Sequence, residues 1–212
     1  MPAGVIALSI GVALAAGLTI WAQYQAQPYV VYFCKPLTTS LIITLAAIAP
    51  TPVQPIYKAA VFAGLVLSLI GDVLLMLPAD HFRAGLVSFL LAHVAYLVAL
   101  VAQGGVHISG LPISLAVLYM AGILRVLWPH LGRARGPVIV YMLVISVMVW
   151  QAFELWRLGD PHAGLAFPGA LLFLISDSAL AIDRFARPFR ARPIVVLGTY
   201  WAAQWLIALS IR

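Results

Sequence analysis

Apolar residues run along this chain in blocks of about twenty, separated by short clusters of proline, glycine and charge. A helix needs roughly 20 residues, rising 1.5 Å each, to cross about 30 Å of hydrocarbon. Eight blocks meet that length, at approximately 3–22, 30–49, 58–77, 84–102, 109–128, 137–156, 164–182 and 194–211. The breaks carry turn chemistry: Gln27-Pro28, Pro50-Thr51-Pro52, Leu77-Pro78-Ala79-Asp80, Gln103-Gly104-Gly105, Gly132 to Pro137, Gly159-Asp160-Pro161 and Arg184 to Pro193. Membrane strands would alternate polar and apolar residues over about ten positions, and these blocks do not. The first block has no basic leader and is longer than a signal-peptide core, so an uncleaved helix is expected there. The pattern predicts an all-α fold, an integral membrane bundle of eight transmembrane helices, with residues 1–212 as a single domain.

Composition strengthens that reading. The chain is 64% hydrophobic and 8% charged, against roughly 25% charged for a soluble domain. Too little polar surface remains to cover a water-soluble globule, so lipid must solvate it. The net charge of +6 would suit nucleic acid, but the basic residues sit in short connections, which is a topological pattern; no nucleic-acid partner is expected. Connections 3–4, 5–6 and 7–8 carry Arg83, Arg133, Arg135, Arg184, Arg187, Arg190 and Arg192, while Lys58, Arg157 and Arg212 lie on the opposite side. The excess predicts that the first group is cytoplasmic and both termini are outside, in a bacterial inner membrane. The Arg184–Arg192 cluster is expected to meet anionic headgroups. A single cysteine, Cys34, excludes an intramolecular disulfide.

Two ionisable residues interrupt the apolar blocks in nearly the same setting, Leu69-Ile70-Gly71-Asp72 and Leu174-Ile175-Ser176-Asp177. A charge at the centre of a membrane helix costs roughly 2.5–3.5 kcal/mol on insertion scales, so two of them imply a chemical task. Helices 2 and 6 are each expected to begin with a proline, Pro36 and Pro137. Phe89 and His93 in helix 4 match Tyr200 and Gln204 in helix 8. Two tandem four-helix halves are therefore an open possibility.

By depth, Asp72, Asp177 and Lys35 share one level beneath the cytoplasmic interface. Tyr141 and Tyr200 lie in the same half of the membrane; His93, Tyr96, Tyr119 and Gln204 are nearer the midplane. The expectation is a polar cleft with Asp72 and Asp177 catalytic and the other seven binding substrate. Gly64, Gly71, Gly85, Gly169 and Ala170 would let backbones approach around it. Plainer readings stand beside this one. Asp72 and Lys35 would also serve as an interhelical tie, and Lys35 could snorkel. Trp21, Tyr29, Trp128, Trp156 and Trp201 read as interfacial anchors, and Glu154 as a solvated rim charge.

No His-x3-His or Cys-x2-Cys spacing signals a metal, and neither a Gly-x-Ser-x-Gly elbow nor a phosphate-cradling Gly-Lys-Ser/Thr loop is present. No cofactor is expected. Paired-carboxylate chemistry survives this elimination best.

Lys35-Pro36-Leu37-Thr38-Thr39, Ser68 through Asp72 to Met76, Gly85 through Phe89 to His93 and Tyr96, Tyr141, and Gly169 through Phe173 to Asp177 together resemble the YhhN-type membrane proteins, the lysoplasmalogenase family. The resemblance covers essentially the whole chain. It implies hydrolysis of the vinyl ether bond of lysoplasmalogens, lysophospholipids of the membrane, to a fatty aldehyde and a glycerophospho-ethanolamine or -choline. One carboxyl held protonated and one ionised would supply acid and base for that reaction. Lys35 would hold the phosphate or steady the ionised aspartate, with His93 and Tyr96 orienting water. The rival reading is a small proton- or cation-coupled transporter or lipid flippase, in which the same charges form a relay.

Overall fold

The computed structural model describes residues 2–49, 54–79 and 81–212. Among them lie eight α-helices and no strand: α1 Ala3–Tyr24, α2 Pro28–Ala47, α3 Pro55–Leu74, α4 Phe82–Gly104, α5 Gly110–Leu127, α6 Arg135–Arg157, α7 Ala163–Ala181 and α8 Gly198–Leu209. The breaks expected at Pro50, Thr51, Pro52 and Asp80 lie outside the described residues. Seven of the helices are long and apolar enough to cross a membrane, and the last apolar segment, Pro193–Leu209, is shorter.

Local chemistry sets the helix ends. Pro28 and Pro55 occupy the first turns of α2 and α3, where a missing N–H costs nothing. Both helices therefore start two or three residues earlier than the apolar runs suggest. At the end of α6 the chain reverses through Gly159 at φ 81°, closed by Asp160 N–H donating to the Leu155 carbonyl at 3.0 Å, the hydrogen bond that satisfies a helix C-terminus. The equivalent bond from Gln27 to Ala22, at 2.9 Å, closes α1. Pro36 does not begin a helix as expected; it lies inside α2, whereas Pro137 stands in the first turn of α6. The two prolines thus occupy different depths, which removes that part of the proposed match between halves.

Two irregular turns flank the last connection. α7 continues through a π-helical turn, Ile182–Ala186, closed by Arg187 N–H to the Ile182 carbonyl at 2.9 Å, and a second π turn, Pro193–Leu197, leads into α8. Such turns arise where the regular ladder is interrupted, often beside functional sites.

The helices alternate in direction. At the far end, Lys58 Nζ donates to the Ala47 and Ala49 carbonyls, Tyr57 shares a 2.6 Å hydrogen bond with Ser210, His162 Nδ1 meets the Ser210 carbonyl at 3.0 Å, and an Arg212 guanidinium nitrogen reaches the Leu45 carbonyl. These contacts tie α2, α3, α8 and the start of α7 together. The opposite, mouth end carries connections 1–2, 3–4, 5–6 and 7–8.

α3 and α4 pack most closely, because α3 presents Gly64 and Gly71 where α4 presents large rings. A Cβ on Gly64 would overlap the Tyr96 ring, and one on Gly71 would lie 2.6 Å from Phe89 Cε2. Tyr96 cannot swing aside, being buried with its hydroxyl committed to Gln204. Gly64→Ala is therefore expected to cost about 1–3 kcal/mol through overpacking. Thermal unfolding in detergent would read it as a lower midpoint, with Gly4→Ala, which meets nothing within 4 Å, as the unaffected control. α5 is the outlier: it packs on α6 and the turn after α7, and of its described residues only Leu127 is buried.

Candidate functional site

Asp72 lies near the mouth end of α3 and Lys35 in the first half of α2. Both are buried and they meet directly: Lys35 Nζ is 3.1 Å from Asp72 Oδ1 and donates to the Asp72 backbone carbonyl at 3.2 Å. Thr39, one turn along from Lys35, and Tyr200 of α8 each donate to Oδ2 at 2.7 Å. Every partner of this carboxyl is a donor, the environment of an ionised carboxylate. Behind it the donors queue in one sense. Tyr96 donates to Gln204 Oε1 at 2.5 Å, Gln204 Nε2 to the Tyr200 hydroxyl at 3.1 Å, and Trp201 Nε1 to Thr39 at 3.3 Å. Such a chain polarises toward the charge it serves.

Asp177, on α7, is held differently. Tyr141 of α6 donates to its Oδ2 at 2.5 Å, and His93 Nε2 of α4 stands 3.6 Å from the same oxygen. His93 Nδ1 is 2.7 Å from the Phe89 carbonyl. A carbonyl only accepts, so Nδ1 carries a hydrogen. Nε2 is buried and makes no hydrogen bond. In a neutral imidazole it would present a lone pair to an oxygen, so this contact is attractive only when a proton lies on Asp177 or on Nε2. Among the described residues no partner meets Oδ1. The flanking hydroxyls face elsewhere: Ser176 donates to the Val196 carbonyl in the turn before α8, and Ser178 bonds back to Leu174 and to Tyr119.

The two carboxylates line one cavity of about 440 Å³, together with Lys35, Ser176, Tyr200 and, toward the mouth, Gln23, Gln27 and Arg192. That volume lies within the roughly 300–1,000 Å³ of small-molecule pockets. His93, Tyr96 and Gln204 are fully buried behind its wall. There Phe173 packs edge-on to His93 at 4.6 Å and to Tyr200 at 5.5 Å. Tyr119 and Tyr141 line a second cavity on the other side of Asp177.

Some residues stand where the sequence did not suggest. Trp201 is no interfacial anchor: it is buried, with its indole N–H committed to Thr39. Its place one step after Tyr200 was the available signal. Arg192, read as a headgroup contact, pairs with Asp183 at 3.0 Å and lines the main cavity. Glu154 is not a solvated rim charge. It is enclosed, with Ser109, Trp150 and Arg157 all donating to it. Among the described residues no group of three His, Cys, Asp or Glu could hold a metal ion.

Apolar helices enclosing a buried ion pair and a second carboxyl over a ligand-sized cavity define a multi-pass membrane protein. The chain belongs to the YhhN family, whose model matches residues 30–211. It is 34% identical over 204 residues to the uncharacterized membrane protein YhhN of Escherichia coli O157:H7, covering 95% of this chain and 97% of that one. The lysoplasmalogenase TMEM86A of Bos taurus is 35% identical over 160 residues, 71% of this chain and 64% of its own. The human lysoplasmalogenase TMEM86B is 36% identical over 161 residues, 73% and 64% respectively. No solved structure matches significantly.

Proposed function

We infer that this chain is a membrane hydrolase that cleaves the vinyl ether bond of lysoplasmalogen-type lysophospholipids, with Asp72 and Asp177 as its catalytic pair. One observation carries the reading. Two carboxyls in different states of hydrogen bonding, one with donors on both oxygens and one with the single donor Tyr141 beside an unpartnered histidine nitrogen, line the same cavity. The names of the relatives supply the substrate class.

The chemistry follows from those states. Asp177 is the acid: it gives its proton to the alkenyl carbon β to the ether oxygen, leaving an oxocarbenium ion. Water adds to that cation, and the proton it sheds returns to Asp177, with His93 Nε2 as the adjacent store. The hemiacetal then breaks its C–O bond, its hydroxyl proton passing to the departing glycerol oxygen. The products are aldehyde and glycerophospho-alcohol. Asp72 stays ionised under Lys35, Thr39 and Tyr200 and supplies the negative charge facing the cation. Lys35 and Tyr200 line the cavity where headgroup and glycerol would lie. His93, Tyr96, Tyr141 and Gln204 act by positioning the two carboxyls. The mouth end is the cytoplasmic face, with both termini outside, as the arginine distribution supports.

The test is incubation of purified, detergent-solubilised protein with vinyl-ether and ester-linked lysophospholipids. Aldehyde release from the first, without fatty acid release from the second, is expected. Fatty acid alone would reassign the bond, and no product from either would remove the reading.

A further inference from the structure

The two cavities that meet at Asp177 differ in character. The first carries the polar mouth described above. The second is walled by Leu86, Ile123, Met142, Ile145 and Ala181, and its polar groups, Tyr119, Tyr141, Asp177 and Ser178, gather near one wall. Leu75, Phe89, Asp177 and Leu180 line both. A lysophospholipid has the same division: a zwitterionic headgroup, one bond to be cut, and a hydrocarbon chain. The acid belongs where the polar part ends and the chain begins.

We propose that the second cavity, between α4, α5, α6 and the end of α7, receives the substrate's hydrocarbon chain, and that its walls set chain preference. The proposal rests on the hydrolase reading above. The cavity itself is narrow, about 50 Å³, far below the roughly 300 Å³ at which pockets begin to enclose a ligand. A chain enters only if a wall yields, and α5 is that wall. It packs on α6 and the turn after α7, and buries none of its described residues before Leu127. A third, mostly apolar cavity of about 230 Å³ lies further along the same face of α5, lined by Leu115, Ala116, Phe153, Phe167 and Leu174. Tyr119 lines both and hydrogen-bonds Ser178 at 2.8 Å, beside the acid. An apolar route therefore leads from the α5–α6–α7 surface to the Asp177 carboxyl.

Ala181 lies one helical turn past Asp177 and faces the second cavity alone. Ala181→Phe is expected to lower the ratio of kcat/KM for hexadecenyl over octenyl lysoplasmalogen at least tenfold, while Val31→Phe, in the polar cavity, leaves that ratio unchanged. A ratio that moves less than twofold in Ala181→Phe, or as much in Val31→Phe, overturns the proposal. Photolabelling of the wild-type protein guards against a misfolded variant. An uncleavable ether-linked lysophospholipid with a diazirine on the upper chain should label α5 and α6, and labelling confined to α1 and α2 would overturn the proposal. Wild-type protein that releases no aldehyde from either chain length would fail the hydrolase reading instead, and the photolabel would still decide where the chain lies.

Discussion

Asp177→Asn is expected to lower vinyl-ether turnover by about 10²–10⁴-fold, the usual worth of a positioned general acid, with the folded protein unchanged. Tyr141 and His93 both meet Oδ2, and an amide nitrogen in that position has two hydrogens, one to donate to the Tyr141 hydroxyl and one to His93 Nε2, so the packing that surrounds the carboxyl survives. What is lost is the transferable proton. In the proposed reaction carbon protonation comes first, and the other carboxyl among the described residues of the cavity, Asp72, has donors on both oxygens, so the loss should appear in kcat rather than KM. The measurement is aldehyde release by wild type and variant at matched thermal midpoints. Full turnover in a well-folded variant would take the acid role from Asp177.

Lys35→Met is expected to act on stability as strongly as on rate. Removing one member of a buried ion pair leaves its partner's charge uncompensated, at a cost of about 3–5 kcal/mol. Asp72 would keep only the Thr39 and Tyr200 hydroxyls. Lys35→Met combined with Asp72→Asn removes the stranded charge, since a neutral amide can accept from Thr39 or Tyr200 without a counterion. The double variant should recover most of the lost unfolding free energy and none of the activity. A double variant no more stable than the single one would show that the pair is not what holds α2 to α3.

Much of the architecture was legible because a bilayer imposes one dominant rule, the length of an apolar run. The level shared by Asp72, Asp177 and Lys35 was legible for the same reason, since depth in a helix is a residue count. The failures have local causes. Proline at a first helical turn extended α2 and α3 beyond their apolar runs, so Lys35 sits deeper than expected. Nothing in residue type forecasts the π turns at Ile182–Ala186 and Pro193–Leu197, which turn on one displaced backbone hydrogen bond each. Around the second of those turns Arg192 lines the cavity and Trp201 is buried, against the rules that send arginine to headgroups and tryptophan to interfaces. The tautomer of His93, on which the assignment of the acid depends, is set by a carbonyl four residues earlier and is visible only in three dimensions.

The cross-links among Lys58, Tyr57, Ser210, His162 and Arg212 bear on the rival reading. A carrier exposes its central charges to each compartment in turn, which requires both ends of the bundle to loosen alternately. Here one end is laced by hydrogen bonds between four helices, while the only polar-lined opening onto Asp72 and Asp177 lies at the other, among the described residues. In the proposed hydrolase the acid centre would draw its protons and its water from a single aqueous phase. A catalyst of that kind would neither draw on nor dissipate a voltage or a pH difference across the bilayer.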